Sequence, residues 1–171
     1  MGFFEQQGST AKNLPVTVLL AGFQAQCILQ VMGILQTFLN DEQKAVFALK
    51  QVALHGLEVD NPAASMSLPE LYVRKEECHA IAFDRMFEKD DTGLMPRPEQ
   101  VAVYTSHYAI QGQFHMGSDT PISDFIASSK SPFVVATDAY IFPLFQPQAA
   151  LIQTAPLVFV YRSAVRMHHP M

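Results

Sequence analysis

Laid over itself with a shift of about 87 residues, the chain repeats the order of its apolar segments without a gap. Self-similarity of this kind constrains a fold before any local reading does. Val16-Thr17-Val18 falls on Val103-Tyr104-Thr105, and Phe23-Gln24-Ala25-Gln26-Cys27 falls on Ile110-Gln111-Gly112-Gln113-Phe114. Leu35, Phe38 and Leu39 fall on Ile122, Phe125 and Ile126, and Val46-Phe47-Ala48-Leu49 on Phe133-Val134-Val135-Ala136. Pro69-Glu70-Leu71-Tyr72-Val73 falls on Pro156-Leu157-Val158-Phe159-Val160, and Lys75 on Arg162. Alternation with period two predicts strands, and the one-faced apolar spacing predicts a short helix in each half. Identities under the shift are few, so the matched order of elements carries the comparison.

The expectation is an α+β, β-rich protein of two tandem antiparallel-sheet units, each with one short helix, packed as a pseudo-twofold pair. The units span residues 14–86 and 101–169. Between them, residues 87–100 concentrate charge, Gly and Pro and lose apolar periodicity, which predicts a linker. A loop is expected at Asp60-Asn61-Pro62-Ala63-Ala64-Ser65. In the second unit, Ser118-Asp119-Thr120-Pro121 supplies a capping side chain and a proline ahead of a helix expected over Ile122 to Ser128.

Leu14 to Asn40 contains no charged side chain and is long enough to cross a bilayer. Gln24, Gln26, Gln30 and Gln36 argue against a span, because their amides would cost free energy in hydrocarbon. So does its partner under the shift, which carries His107, His115, Asp119 and Asp124. A strand region followed by a short helix over Ile34 to Leu39 is predicted instead.

Charged residues make up 16% of the chain and apolar ones 49%, against roughly a quarter charged in typical soluble domains. Such a lean surface fits a protein covered by a protein partner or by copies of itself. The net charge is −5 and the cations are scattered, which disfavours nucleic-acid binding. Two distant cysteines, Cys27 and Cys78, disfavour a disulfide framework or a cysteine zinc site and suit a reducing cytoplasm. The polar start, Met1 to Ala11, lacks a signal-peptide pattern.

The second unit contains Tyr108-Ala109-Ile110-Gln111-Gly112-Gln113-Phe114-His115, Ile122-Ser123-Asp124-Phe125-Ile126, Thr137-Asp138-Ala139 and Pro156 to Arg162, in that order. In this it resembles an uncharacterised bacterial family of small β-rich domains, over about half the chain. The first unit departs from that pattern, with Gln36-Thr37 for the Ser-Asp pair, Lys50-Gln51 for Thr-Asp and Ile28 for the His. The resemblance implies architecture and no reaction.

It also singles out His115, Asp124 and Asp138 as a polar cluster, and a histidine with two carboxylates has the chemistry to bind a metal or move a proton. The competing reading is structural: Asp124 in the first turn of a helix and Asp138 at a strand bend. His168-His169 and Cys78-His79 are adjacent pairs that diverge on a strand; the histidine pair is expected in a solvated tail. Gln24, Gln26, Gln111 and Gln113 form a possible interaction face on equivalent strands. No nucleotide, zinc-protease or serine-hydrolase motif occurs, so no catalytic residue, metal or cofactor is expected. The sequence points to a non-catalytic interaction or scaffold protein in a larger assembly. The alternative is a small-molecule-binding or sensory module with a pocket between the units.

Overall fold

The computed structural model describes residues 10–61 and 63–171. Met1 to Ser9, most of the polar start Met1 to Ala11, and Pro62 of the expected loop lie outside those residues. The first half runs β1 (Lys12–Leu20), β2 (Phe23–Val31), α1 (Leu35–Asn40), β3 (Val46–Gly56), β4 (Ser65–Arg74), a 3-10 turn (Lys75–Glu77) and β5 (Cys78–Phe83). After α2 (Lys89–Thr92), the second half runs β6 (Arg97–Tyr104), β7 (Tyr108–Met116), α3 (Phe125–Ser128), β8 (Phe133–Pro143), β9 (Thr154–Tyr161), a 3-10 turn (Arg162–Ala164) and β10 (Met167–Pro170). All ten strands form one antiparallel sheet in the order β10-β6-β7-β8-β9-β5-β1-β2-β3-β4.

The uncharged stretch Leu14 to Asn40 resolves into a complete hairpin and α1. Ala21-Gly22 closes the hairpin, with Gly22 at φ +71°, a conformation glycine adopts without steric cost. No helix among the described residues is long and apolar enough to cross a membrane.

Both halves interrupt their ladders at the same place. Gln51 and Asp138 each adopt φ +50°, and each is skipped in the pairing with the next strand, which resumes at Val52↔Leu68 and at Ala139↔Ala155. The residues left opposite are Pro69 and Pro156, which have no N–H to give, so a proline is accommodated inside a strand at a bulge. Pairing also shows that the first hairpins correspond at a spacing of about 85 residues, Val16↔Cys27 against Val101↔Gly112. The later elements correspond at about 87 residues, so the loop between β7 and β8 is two residues longer than its counterpart.

Two cores lie on opposite faces of the sheet. The first takes Val16 and Val18 of β1, Cys27 and Leu29 of β2, Leu35 and Leu39 of α1, and Phe47 and Leu49 of β3. The second takes Val101 and Val103, Ile110 and Phe114, Phe125, Val134 and Ala136. β5 and β9 serve both. Ile81, Phe83, Leu157 and Phe159 enter the first core, while Ala80, Ala82, Val158 and Val160 enter the second. Their sequences, Cys78-His79-Ala80-Ile81-Ala82-Phe83 and Ala155-Pro156-Leu157-Val158-Phe159-Val160, are therefore continuous apolar runs, as strands buried on both faces must be. Each large side chain buried there contributes about 1.5–3 kcal/mol of transfer free energy.

Basic residues close both helices alike. The Lys75 ammonium, which burial makes easier to deprotonate, donates to the Asp41 carbonyl at 2.6 Å, and the Arg162 guanidinium donates to the Ser129 carbonyl. Each satisfies an orphan carbonyl at a helix C-terminus.

Three expectations change. The stretch expected as a linker, residues 87–100, holds α2 and the first residues of β6, and Phe87 packs its ring 5.3 Å from that of Phe83. The second helix is shorter than expected: Ile122 to Asp124 form a turn, and Asp124 is the N-cap residue without a side-chain cap bond. His168-His169 lie in β10 rather than in a solvated tail, because Met167 to Pro170 pair with Tyr104 to Val101.

Candidate functional site

Of the polar cluster, His115 and Asp138 come together and Asp124 does not join them. His115 is half-buried at the end of β7. Its Nδ1 lies 3.3 Å from the Met95 carbonyl and its Nε2 lies 2.9 Å from Thr137 Oγ1. A carbonyl only accepts, so Nδ1 carries the proton and Nε2 accepts from the threonine hydroxyl. Burial lowers the pKa of the ring, opposed by its bond to Met95 and by the nearby Asp138 carboxylate. Both nitrogens are thus engaged, and the ring has no free lone pair for acid–base work. Asp124 accepts from its neighbour Ser123 at 2.8 Å. Among the described residues no group of three or more His, Cys, Asp or Glu side chains is placed to hold a metal ion.

His115 borders a cavity of about 390 Å³ that both halves line, through Gln36 and Asn40 of α1, Thr92 and Gly93 after α2, and Phe125 and Phe133 of the second half.

The four glutamines do not form one repeated face. Gln24 is buried, donating to the Ala150 carbonyl at 3.2 Å and accepting from the Ile152 N–H at 2.8 Å. It therefore clamps the β8–β9 loop against the first hairpin. Gln26 is exposed, while Gln111 and Gln113 are half-buried. By pairing, Gln26 corresponds to Gln111, since Gln26↔Ala53 matches Gln111↔Tyr140.

A junction cluster that sequence reading missed surrounds His79. Its Nδ1 lies 3.0 Å from Thr105 Oγ1, and its ring stands edge-on to Tyr108 at 5.7 Å and to His107 at 5.5 Å. Burial, with smaller contributions from His107 and Arg166, lowers its pKa to about 4, so the ring is neutral at physiological pH. The Tyr108 hydroxyl donates to the Leu20 carbonyl at 2.6 Å, tying the second hairpin to the first, and burial raises its pKa. The lone-standing Cys78-His79 pair was the only sequence signal for this region. The two side chains do diverge: Cys78 enters the first core and His79 faces the second half. Burial pushes the Cys27 and Cys78 thiols up to about 12, which removes their nucleophilic form.

The most open features are the two ends of the sheet. Among the described residues β4 and β10 each pair on one side only, which leaves alternate N–H and C=O groups there without a ladder partner. Large apolar side chains stand exposed there, with Tyr72 of β4 at 66% and Met167 of β10 at 62%. Beside β4 lies an apolar groove of about 400 Å³, lined by Leu20, Ala21, Phe23, Leu54, Leu71 and Val73 among others. In the second half the corresponding positions are Thr105, Ser106, Tyr108, Ile141, Val158 and Val160, and there β5 covers them with His79, Ala80 and Ala82. The first half thus leaves open what the second half fills.

Compared with known proteins, the chain matches no family model, no curated protein and no solved structure.

Proposed function

We propose that the protein is a non-catalytic assembly subunit, built from two copies of one sheet unit and designed to add further protein at its sheet ends. The observation that carries this reading is that β4 and β10 each pair on one side only among the described residues, with Tyr72 exposed on β4 beside an apolar groove and Met167 exposed on β10. The shared bulges at Gln51 and Asp138, opposite Pro69 and Pro156, support duplication. The two copies would follow each other head to tail, since β5 of the first pairs with β9 of the second and β9 corresponds to β4. A twofold pair would instead join like edges. The lean charge of the surface fits the same reading.

The engaged nitrogens of His115 and the raised thiol pKa values are the reasons to place no reaction at these groups. Native mass spectrometry of the protein purified gently from its source tests the proposal. A mass well above 19.0 kDa, with copies or other polypeptides attached, is the expected result; a monomer without partners at every concentration would refute it.

A second reading is favoured by the cavity of about 390 Å³ beside His115. It makes the protein a small-molecule-binding module, and its signature is a monomer carrying a small additional mass and a melting temperature that rises with that ligand.

A further inference from the structure

We infer that β4 of one copy receives β10 of the next, antiparallel and in the register Val73↔Met167, Tyr72↔His168, Leu71↔His169 and Glu70↔Pro170. The inference rests on the assembly reading and gives it a partner, a second copy of this chain, and a geometry.

The template is the junction inside the molecule. There β9 pairs with β5 as Val160↔Ala80, Phe159↔Ile81, Val158↔Ala82 and Leu157↔Phe83. β4 corresponds to β9 in detail: both contain the internal proline, and Lys75 N–H donates to the Ala45 carbonyl as Arg162 N–H does to Pro132, each at 2.8 Å. β10 corresponds to β5 in the same way, because Leu19↔Ala80 on one side matches Tyr104↔Met167 on the other. Replacing β9 by β4 and β5 by β10 in the junction register yields the pairs stated above.

The free edges have the polarity this requires. Met171 N–H donates to the Gln100 carbonyl, so along β10 the odd-numbered residues bond to β6 and His168 presents its N–H and C=O outward. Lys75 bonds to β3, so Tyr72 and Glu70 of β4 are the outward residues. His168 and Tyr72 then make both bonds of a hydrogen-bonded pair. Pro170 has no N–H, so its pair with Glu70 makes only the bond that Glu70 donates. This contact is weaker than the junction it copies, and proline at that place limits how far foreign strands can add.

Side chains fit as well. Met167 and His169 correspond to Ala80 and Ala82, which pack over Tyr108, Ile141 and Val158 in the second core. They would enter the apolar groove formed by the corresponding Phe23, Leu54 and Leu71. Arg166, corresponding to His79, would approach Glu77 at the rim of that groove. On the other face, Tyr72 corresponds to Phe159, which is fully buried in the first core. It would lie beside His168 and Phe125, whose rings are 5.1 Å apart. Joining unlike edges is heterologous, so the contact propagates into a ring or a filament.

The test is site-directed disulfide trapping. Leu71↔His169 is a non-hydrogen-bonded pair, for which Cα atoms lie about 4.5 Å apart, within disulfide range. Full-length Leu71→Cys and His169→Cys are oxidised alone and mixed, and the native Cys27 and Cys78 are buried. A covalent dimer from the mixture, absent from either variant alone and from a Met66→Cys plus His169→Cys mixture, is the expected result. Val73→Cys with Met167→Cys, the neighbouring non-hydrogen-bonded pair, provides the same readout should Leu71→Cys fail to fold. Oligomers in native mass spectrometry without either disulfide would overturn the edge pairing and leave the assembly reading standing. Monomers without either disulfide would overturn both. A doubly substituted Leu71→Cys, His169→Cys chain that crosslinks only within itself would overturn the second-copy partner, showing that the sheet closes on its own ends.

Discussion

Gln51 and Asp138 share one backbone conformation, φ +50°, at corresponding places in β3 and β8, each opposite a proline that has no N–H to donate. The ladder would be broken by the proline in any case, so the bulge is placed where it forfeits the fewest hydrogen bonds. A non-glycine residue at positive φ is still strained by about 1 kcal/mol or more. Gln51→Gly should therefore raise stability by about 0.5–1 kcal/mol, and Gln51→Val should lower it by about 1–2 kcal/mol. Urea denaturation of the two variants measures both, and a glycine variant less stable than the parent would contradict the strain argument.

Gly93 follows α2 at φ +64°, and a Cβ built there would collide with the Gln36 carboxamide of α1. Gly93→Ala should cost about 1 kcal/mol, chiefly as backbone strain, because the Gln36 carboxamide ends a flexible side chain that can move aside. Adding Gln36→Ala should therefore recover little, so the loss in thermal stability caused by Gly93→Ala should be nearly the same with and without Gln36.

His79 couples the junction to pH. Its folded pKa of about 4 lies below the ordinary histidine value of 6.5, because burial disfavours the charged ring. The unfolded chain then binds the proton more readily, so stability is unaffected above pH 6.5 and declines as pH falls from 6.5 towards 4. The full loss is at most roughly 3 kcal/mol. His79→Gln, which keeps a polar group near Thr105, should flatten the stability profile over that window, and an unchanged profile would assign the acid sensitivity elsewhere.

Gln24 makes two bonds to the β8–β9 loop, to Ala150 and Ile152. Gln24→Ala removes both bonds and leaves the part-buried Ala150 carbonyl and Ile152 N–H without this partner, at a cost of about 1 kcal/mol. Hydrogen exchange at the Ile152 amide should accelerate before that of the core strands, which global destabilisation alone would not produce.

Cys27 and Cys78 should react with a thiol reagent at pH 8 only as fast as the protein opens. Both are buried, with pKa values pushed up to about 12. Addition of urea should bring both into rapid reaction, and immediate labelling of the native protein would refute the burial of either.

Much of the strand inventory was legible in the sequence. Alternation in Val16 to Cys27 and in Ile110 to Phe114 is a local property of a half-buried strand, as is the apolar spacing of Leu35, Phe38 and Leu39, and the structure places strands and a helix there. Other features needed distance in the chain to become visible. Gln24 reads as the wet face of a strand until the loop at Ala150 to Ile152, more than a hundred residues on, covers it. His79 looks like half of an inert Cys-His pair until Thr105, His107 and Tyr108 surround it.

The sequence by itself determined which segments alternate and which residues of a strand face the same way, since both follow from local periodicity. Only the tertiary structure decided that the strands join in a single sheet, that β5 and β9 divide two cores, and that β4 and β10 lie at its two ends. Strand pairing depends on which edges meet in space, and a strand carries the same alternating pattern whether its edge is paired or free.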